Sequence, residues 1–91
     1  MQIDTFMSEG QEVGVVIHYY PKIDVAIVDV TAPISVGDRI RMKGSTTDFE
    51  QIVESMEIEH KKVEKAKPGD AIGLKVKNRV REKDVLYKII E

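Results

Sequence analysis

Short runs in which apolar and polar side chains alternate, each ended by a Gly-Asp or proline corner, constrain this chain more than any other feature. Successive side chains of an extended strand point to opposite faces, so a period of two buries one face and wets the other. Residues 39–43 show it cleanly: Ile40 and Met42 fall on one side, Arg39, Arg41 and Lys43 on the other. Residues 13–20 and 23–31 are rich in β-branched and aromatic types, which suit a pleated surface. Pro21-Lys22 separates them, which predicts a hairpin. Asp24 and Asp29 put charge on both faces of its second arm, so the hairpin is expected to project beyond the body of the fold. Ala32-Pro33 ends that arm, because proline cannot donate to a ladder.

The corners are as informative as the strands. Lys67-Pro68-Gly69-Asp70 has proline second and glycine third, the pattern of a type II turn. Val36-Gly37-Asp38 reads as a similar turn. Gly37 and Gly69 allow the positive φ such corners need, and Asp38 and Asp70 can accept from nearby backbone N–H groups. Residues 44–48 form a polar loop. Residues 49–63 suit either a helix, through Ile52, Val53, Met56 and Val63, or a strand, with Met56 and Ile58 set between Ser55, Glu57 and Glu59. Their short-strand neighbours favour one continuous bent strand. Ile72, Leu74 and Val76 are expected to face the core, with Gly73 marking a bulge or a close backbone approach. Residues 81–84 read as one helical turn and 85–90 as the closing strand. The prediction is an all-β chain: a small closed antiparallel β-barrel of about six to seven strands with an extended N-terminal hairpin. Residues 1–11 are expected to be a flexible lead-in and 12–91 a single barrel domain.

Size and composition bound the rest. Ninety-one residues hold one domain, and a domain of that size buries only roughly 60 per cent of its unfolded surface, so its strands must share one core. A third of the residues are charged, yet the net charge is −2, which argues against a general nucleic-acid binder. The charge is uneven: residues 1–54 carry four bases and nine acids, residues 55–91 ten bases and seven acids. With no cysteine there can be no disulfide, no Cys-ligated zinc and no thiol chemistry. No basic start followed by a long apolar run marks a leader or a membrane span, so a cytoplasmic protein without membrane contact is expected.

Four segments in order carry a resemblance. Ile34-Ser35-Val36-Gly37-Asp38-Arg39-Ile40-Arg41-Met42-Lys43-Gly44, residues 53–58, Ala66-Lys67-Pro68-Gly69-Asp70-Ala71-Ile72-Gly73-Leu74 and residues 81–86 together resemble domain 2 of translation elongation factor Tu. Lys83 departs from the glycine usual there. The resemblance implies a closed barrel and a non-catalytic module that meets ribosomal or transfer RNA, or a translation-related partner. A similar barrel is appended to collagenase-like peptidases, which gives the alternative: an accessory protein-interaction domain. The sequence holds neither a Gly-x-x-x-x-Gly-Lys-Ser/Thr loop nor an Asn-Lys-x-Asp motif, so no GTP is expected to bind.

Little else points to chemistry. His18 and His60 lack partners at recognisable ligand spacing, no serine lies in a nucleophile elbow, and Glu57 with Glu59 reads as a solvated strand face. No enzyme, cofactor or metal is expected. Candidate contacts for structured RNA or a protein partner are Arg39, Arg41, Lys75, Lys77 and Arg79, which could form one basic rim, together with Tyr19 and Tyr20 at the hairpin end. Exposed, the tyrosines would be a contact site; buried, they would be core. Self-association through an open strand edge is a further expectation.

Overall fold

The computed structural model describes residues 10–89, which are all β with no helix. Ten strands follow one another: β1 (Gln11–Tyr20), β2 (Val25–Val30), β3 (Ile34–Ser35), β4 (Arg39–Lys43), β5 (Asp48–Ile52), β6 (Met56–Ile58), β7 (Lys61–Val63), β8 (Lys65–Ala66), β9 (Ala71–Lys75) and β10 (Val85–Lys88). Eight form one antiparallel sheet in the order β5-β4-β10-β1-β2-β9-β6-β7, and β3 pairs with β8 in a separate two-stranded ribbon. Most of the lead-in expected at residues 1–11 lies outside the described residues, but Gln11 already pairs with Lys88.

The alternation is realised almost everywhere. Ile40, Met42, Ile72, Leu74 and Leu86 are fully buried, as are Val13, Val16, Val28 and Val53, so one aliphatic core fills the concave side. Strand β1 supplies much of the curl. Its register slips between Glu12 and Gly14 against β10, and between Val16 and His18 against β2. Each extra residue bends the strand and increases its twist.

Four expectations need correction. The barrel is not closed: β5 and β7 end the sheet order without pairing with each other, leaving a curled half-barrel. Instead of a ladder, the Gln51 side chain reaches from β5 to the end of β9, donating to Lys75 O (2.9 Å) and accepting from Lys77 N–H (2.9 Å). Next, residues 49–63 are not one bent strand. They break after Ile52 and again at Glu59-His60, a two-residue loop joining β6 to β7. Both loop residues have positive φ, as a type I′ turn requires, although neither is glycine or asparagine. The hairpin β1–β2 does not stand free either. Strand β9 flanks β2 from Asp29 to Val25, and Val76 N–H donates to Asp24 O at the tip (2.9 Å).

Finally, residues 81–84 are a β-turn, not a helical turn. Among the described residues, three corners share one construction. In Ser35–Asp38, Lys67–Asp70 and Arg81–Asp84, the fourth N–H donates to the first carbonyl (3.1, 3.0 and 3.1 Å). The third residue has positive φ: Gly37 at 97°, Gly69 at 97° and Lys83 at 78°. The closing aspartate accepts from the first N–H (2.8, 3.0 and 2.8 Å). Each corner also exchanges two backbone bonds with one buried valine, Val53, Val30 or Val16, so two residues oppose one. These are type II turns continued into G1 bulges, which launch β4, β9 and β10 in the direction that curls the sheet.

Lys83 occupies the glycine position of the third corner. An L-residue in the left-handed region is disfavoured by about 1–2 kcal/mol, partly offset by the extra unfolded-state freedom glycine would add. Lys83→Gly should therefore raise stability by roughly 1 kcal/mol, read as a melting-point rise of about 4–8 °C. A lower melting point would contradict the strained-corner reading.

Candidate interaction site

The outer face of a half-buried sheet normally carries polar side chains. Strand β2 departs from that: Ala26 and Val28 go inward, while Val25 and Ile27 go outward onto an uncovered face. Beside them on β9 stands Gly73, paired with Ile27 on one side and Glu57 on the other. Of the two expectations for Gly73, a bulge or a close backbone approach, neither is met: the register runs through it unbroken, and the nearest backbone atom to a Cβ there is Glu57 O at 4.0 Å. A Cβ built there would meet Val25 Cγ1 at 3.5 Å and Ile27 Cδ1 at 3.9 Å, both ordinary contact distances. The lack of a side chain leaves a trough, about 470 Å³, lined also by Tyr20, Ile23, Glu59, His60 and Ala71.

Tyr20 and Ile23 stand at its end, 47% and 57% exposed, so large apolar surface faces solvent there. The loop Glu59-His60 closes one wall, with φ of 52° and 68°; Asp24, beside Ile23, has φ of 56°. Two non-glycine residues in the left-handed region thus line the groove. Glu57 and Glu59 carry no ion pair among the described residues, so the rim opposite the aliphatic wall is acidic.

The basic residues are distributed differently. Arg39 pairs with Glu50 (3.2 Å), and Arg41 lies bidentate on Asp48 (2.9 and 3.1 Å). The Arg41 guanidinium, bonded to it, holds the Asp48 carboxyl below the usual carboxylate range. Lys75 Nζ donates to Ile23 O (3.1 Å) across the hairpin tip, and the exposed Lys77 is placed by the Gln51 amide. Acids of β5 thus interleave with the cations of β4. Arg79 lies elsewhere, beside Tyr19. Tyr19 and Tyr20 take separate roles: Tyr19 packs on the core edge and donates to Asp24 Oδ1 (3.2 Å), while Tyr20 lines the trough. Partial desolvation, then the bond to Asp24, raises the Tyr19 phenol above its usual range, so it remains a donor near neutrality. Gly37, Asp38, Pro68, Gly69 and Asp70 serve in the corners described above.

Reasoning from sequence alone passed over Val25 and Ile27. The available signal was the unbroken apolar run Val25-Ala26-Ile27-Val28, which makes both faces of one strand apolar when just one meets the core. Among the described residues, no group of three His, Cys, Asp or Glu side chains could hold a metal, and no helix is long and apolar enough to cross a membrane.

Comparison with known proteins redirects the kinship. No protein family profile matches the sequence. An uncharacterized protease of Methanocaldococcus jannaschii is 41% identical over 81 residues, 88% of this chain and 20% of that protein. A collagenase of Porphyromonas gingivalis is 37% identical over 78 residues, 84% of this chain and 22% of that protein. The C-terminal domain of a Geobacillus thermoleovorans protein assigned as a U32 peptidase superposes with a TM-score of 0.81 at 23% identity, covering 86% of this chain and 91% of that domain. The relatives are peptidase-like proteins, not translation factors. The likeness to elongation factor Tu domain 2 is therefore withdrawn, and its physical origin is plain. The shared Gly-Asp blocks encode type II corners followed by alternating strands, which any curled antiparallel sheet can use. This chain spans about a fifth of the length of the curated relatives it matches.

Proposed function

We propose that this chain is a non-catalytic accessory module of peptidase-like proteins, and that the trough over Gly73 seats an apolar segment of the catalytic body it accompanies. The observation that carries the reading is the uncovered apolar trough of Tyr20, Ile23, Val25 and Ile27 on the convex side of the sheet. Apolar surface of this kind, bordered by polar groups, marks interaction sites on soluble domains. The relatives support it: in the proteins named protease and collagenase, the matching stretch is a minor part of a longer chain.

Gly73 supplies the test. Its backbone lies in a regular strand and a Cβ there sits at ordinary contact distance from Val25 and Ile27, so Gly73→Val should fill the trough and leave the core unchanged. Valine suits a strand better than glycine, and stability is expected to hold or rise by up to about 1 kcal/mol. The isotope-labelled chain would be titrated with the M. jannaschii relative lacking its own matching segment. Saturable amide shifts are expected at Val25, Ile27, Ala71 and Gly73, and should vanish in Gly73→Val. Binding that survives the filled trough, or no binding at all, removes the proposal.

A further inference from the structure

Consecutive residues of a strand face opposite ways, and the two tyrosines at the end of β1 open onto different hollows. Tyr20 borders the trough; Tyr19 borders an open hollow of about 580 Å³ whose other lining residues are Pro21, Arg79, Val80, Arg81 and Glu82. We propose that this second hollow is an oxyanion site, taking one carboxylate or phosphate group presented by a protein partner. It is distinct from the trough and stands or falls independently of it.

Two features build the site. Val80, 1% exposed, pins the segment into the core, so Arg79 and Arg81 on either side of it extend toward solvent. The backbone under Arg81 is then locked by the third corner. Arg81 N–H donates to Asp84 Oδ2 (2.8 Å), Asp84 N–H returns to Arg81 O (3.1 Å), and Lys83 N–H donates to Val16 O (2.7 Å). Cations on a fixed backbone lose less freedom when they bind.

Charge points the same way. Among the described residues, neither Arg79 nor Arg81 has an ion-pair partner, in contrast with Arg39 and Arg41. Of the nearby acids, Glu82 also lines the hollow and lies 3.5 Å from His18 Nδ1, while Asp24 accepts the Tyr19 hydroxyl. Residues 77–83 carry Lys77, Arg79, Arg81 and Lys83 against Glu82 alone, a local excess of +3 on a chain of net charge −2. Two guanidiniums can present parallel N–H pairs to one carboxylate or phosphate. A polyanion is a poor fit, since Glu82 lines the hollow and Asp48 and Glu50 cover the β4 arginines.

The full chain would be titrated, by amide and arginine side-chain resonances, with three probes: a capped glutamate peptide, the same peptide with phosphoserine, and a uridine oligonucleotide. Saturable shifts at Arg79, Arg81 and Tyr19 are expected with one or both peptides, in the weak range near 1 mM set by a single ion-paired group. Tighter binding of phosphoserine assigns a phosphate source, and equal or tighter binding of glutamate a carboxylate. Arg79→Gln with Arg81→Gln should weaken binding by about tenfold or more, and paired lysine substitutions should restore only part of it because they lack the fork. Both arginines are exposed, so the melting point should hold. The proposal is overturned if neither peptide saturates, if the glutamine pair binds as well as the parent, or if the oligonucleotide binds the same residues more tightly than either peptide.

Discussion

Gly44→Ala is expected to lower the stability of this domain by about 3 kcal/mol, through overpacking combined with a displaced buried acceptor. Gly44 follows β4, and a Cβ there would lie 2.6 Å from the Asp84 carboxyl carbon. That carboxylate cannot easily retreat. Asp84 is 4% exposed and its Oδ2 holds the Arg81 N–H of the third corner. Moving it leaves a backbone donor unsatisfied and loosens the bulge that joins the corner to Val16. For a domain whose total stability is of the order of 5–14 kcal/mol, such a loss should drop the melting point by about 12–24 °C. A double-mutant cycle identifies the cause. Asp84→Ala alone should be destabilising by about 1–3 kcal/mol, and Gly44→Ala added to it should cost under about 1 kcal/mol, because the obstructing group is gone. Additive losses would show that the glycine is needed for some other reason.

Leu74→Ala should be at least as damaging, by about 3–4 kcal/mol, from lost burial and the cavity left behind. Leu74 lies in the middle of β9, fully buried, with Ala26 opposite it on β2 and Met56 on β6. Alanine at 26 has no side chain to reach into the space, and Met56 can fill only part of it. The control is Ile52→Ala at the edge of the sheet. Ile52 is 48% exposed, and its loss should change stability by no more than about 0.5 kcal/mol. Chemical denaturation of the two variants under one set of conditions would compare them. A loss at Leu74 no larger than at Ile52 would mean that the concave side is not the core.

Strand content and facing were legible because both are local properties. The alternation of Ile40 and Met42 with Arg39, Arg41 and Lys43, and of Ile72 and Leu74 with their neighbours, needs no knowledge of the partner strand. The corner at Lys67-Pro68-Gly69-Asp70 was equally readable, since proline and glycine impose its dihedral angles directly. The equivalent corner at Arg81–Asp84 was read as a helical turn because Lys83 hides the glycine signal; the valine across the sheet holds that residue at positive φ. The type I′ turn at Glu59-His60 was hidden for the same reason, and residues 49–63 were misread as one strand in consequence.

Closure, kinship and surface lay beyond local reading. Whether a curled sheet meets its own edge depends on the sum of bulges and strand lengths, and here a glutamine amide, not a ladder, spans part of the opening. Three of the four blocks suggested translation factors because they record how a corner is built, whereas the proteins similar to this chain are named protease and collagenase. What the amino acids determined by themselves is an all-β chain with one aliphatic face and two glycine-aspartate corners, at Gly37-Asp38 and Gly69-Asp70. What the tertiary structure alone decided is which outward residues become neighbours. Gly73 lies more than forty positions from Val25 and Ile27, and Tyr19 sixty from Arg79, so strand register at the first hollow and the corner bonded to Val16 at the second, not sequence proximity, bring these residues together.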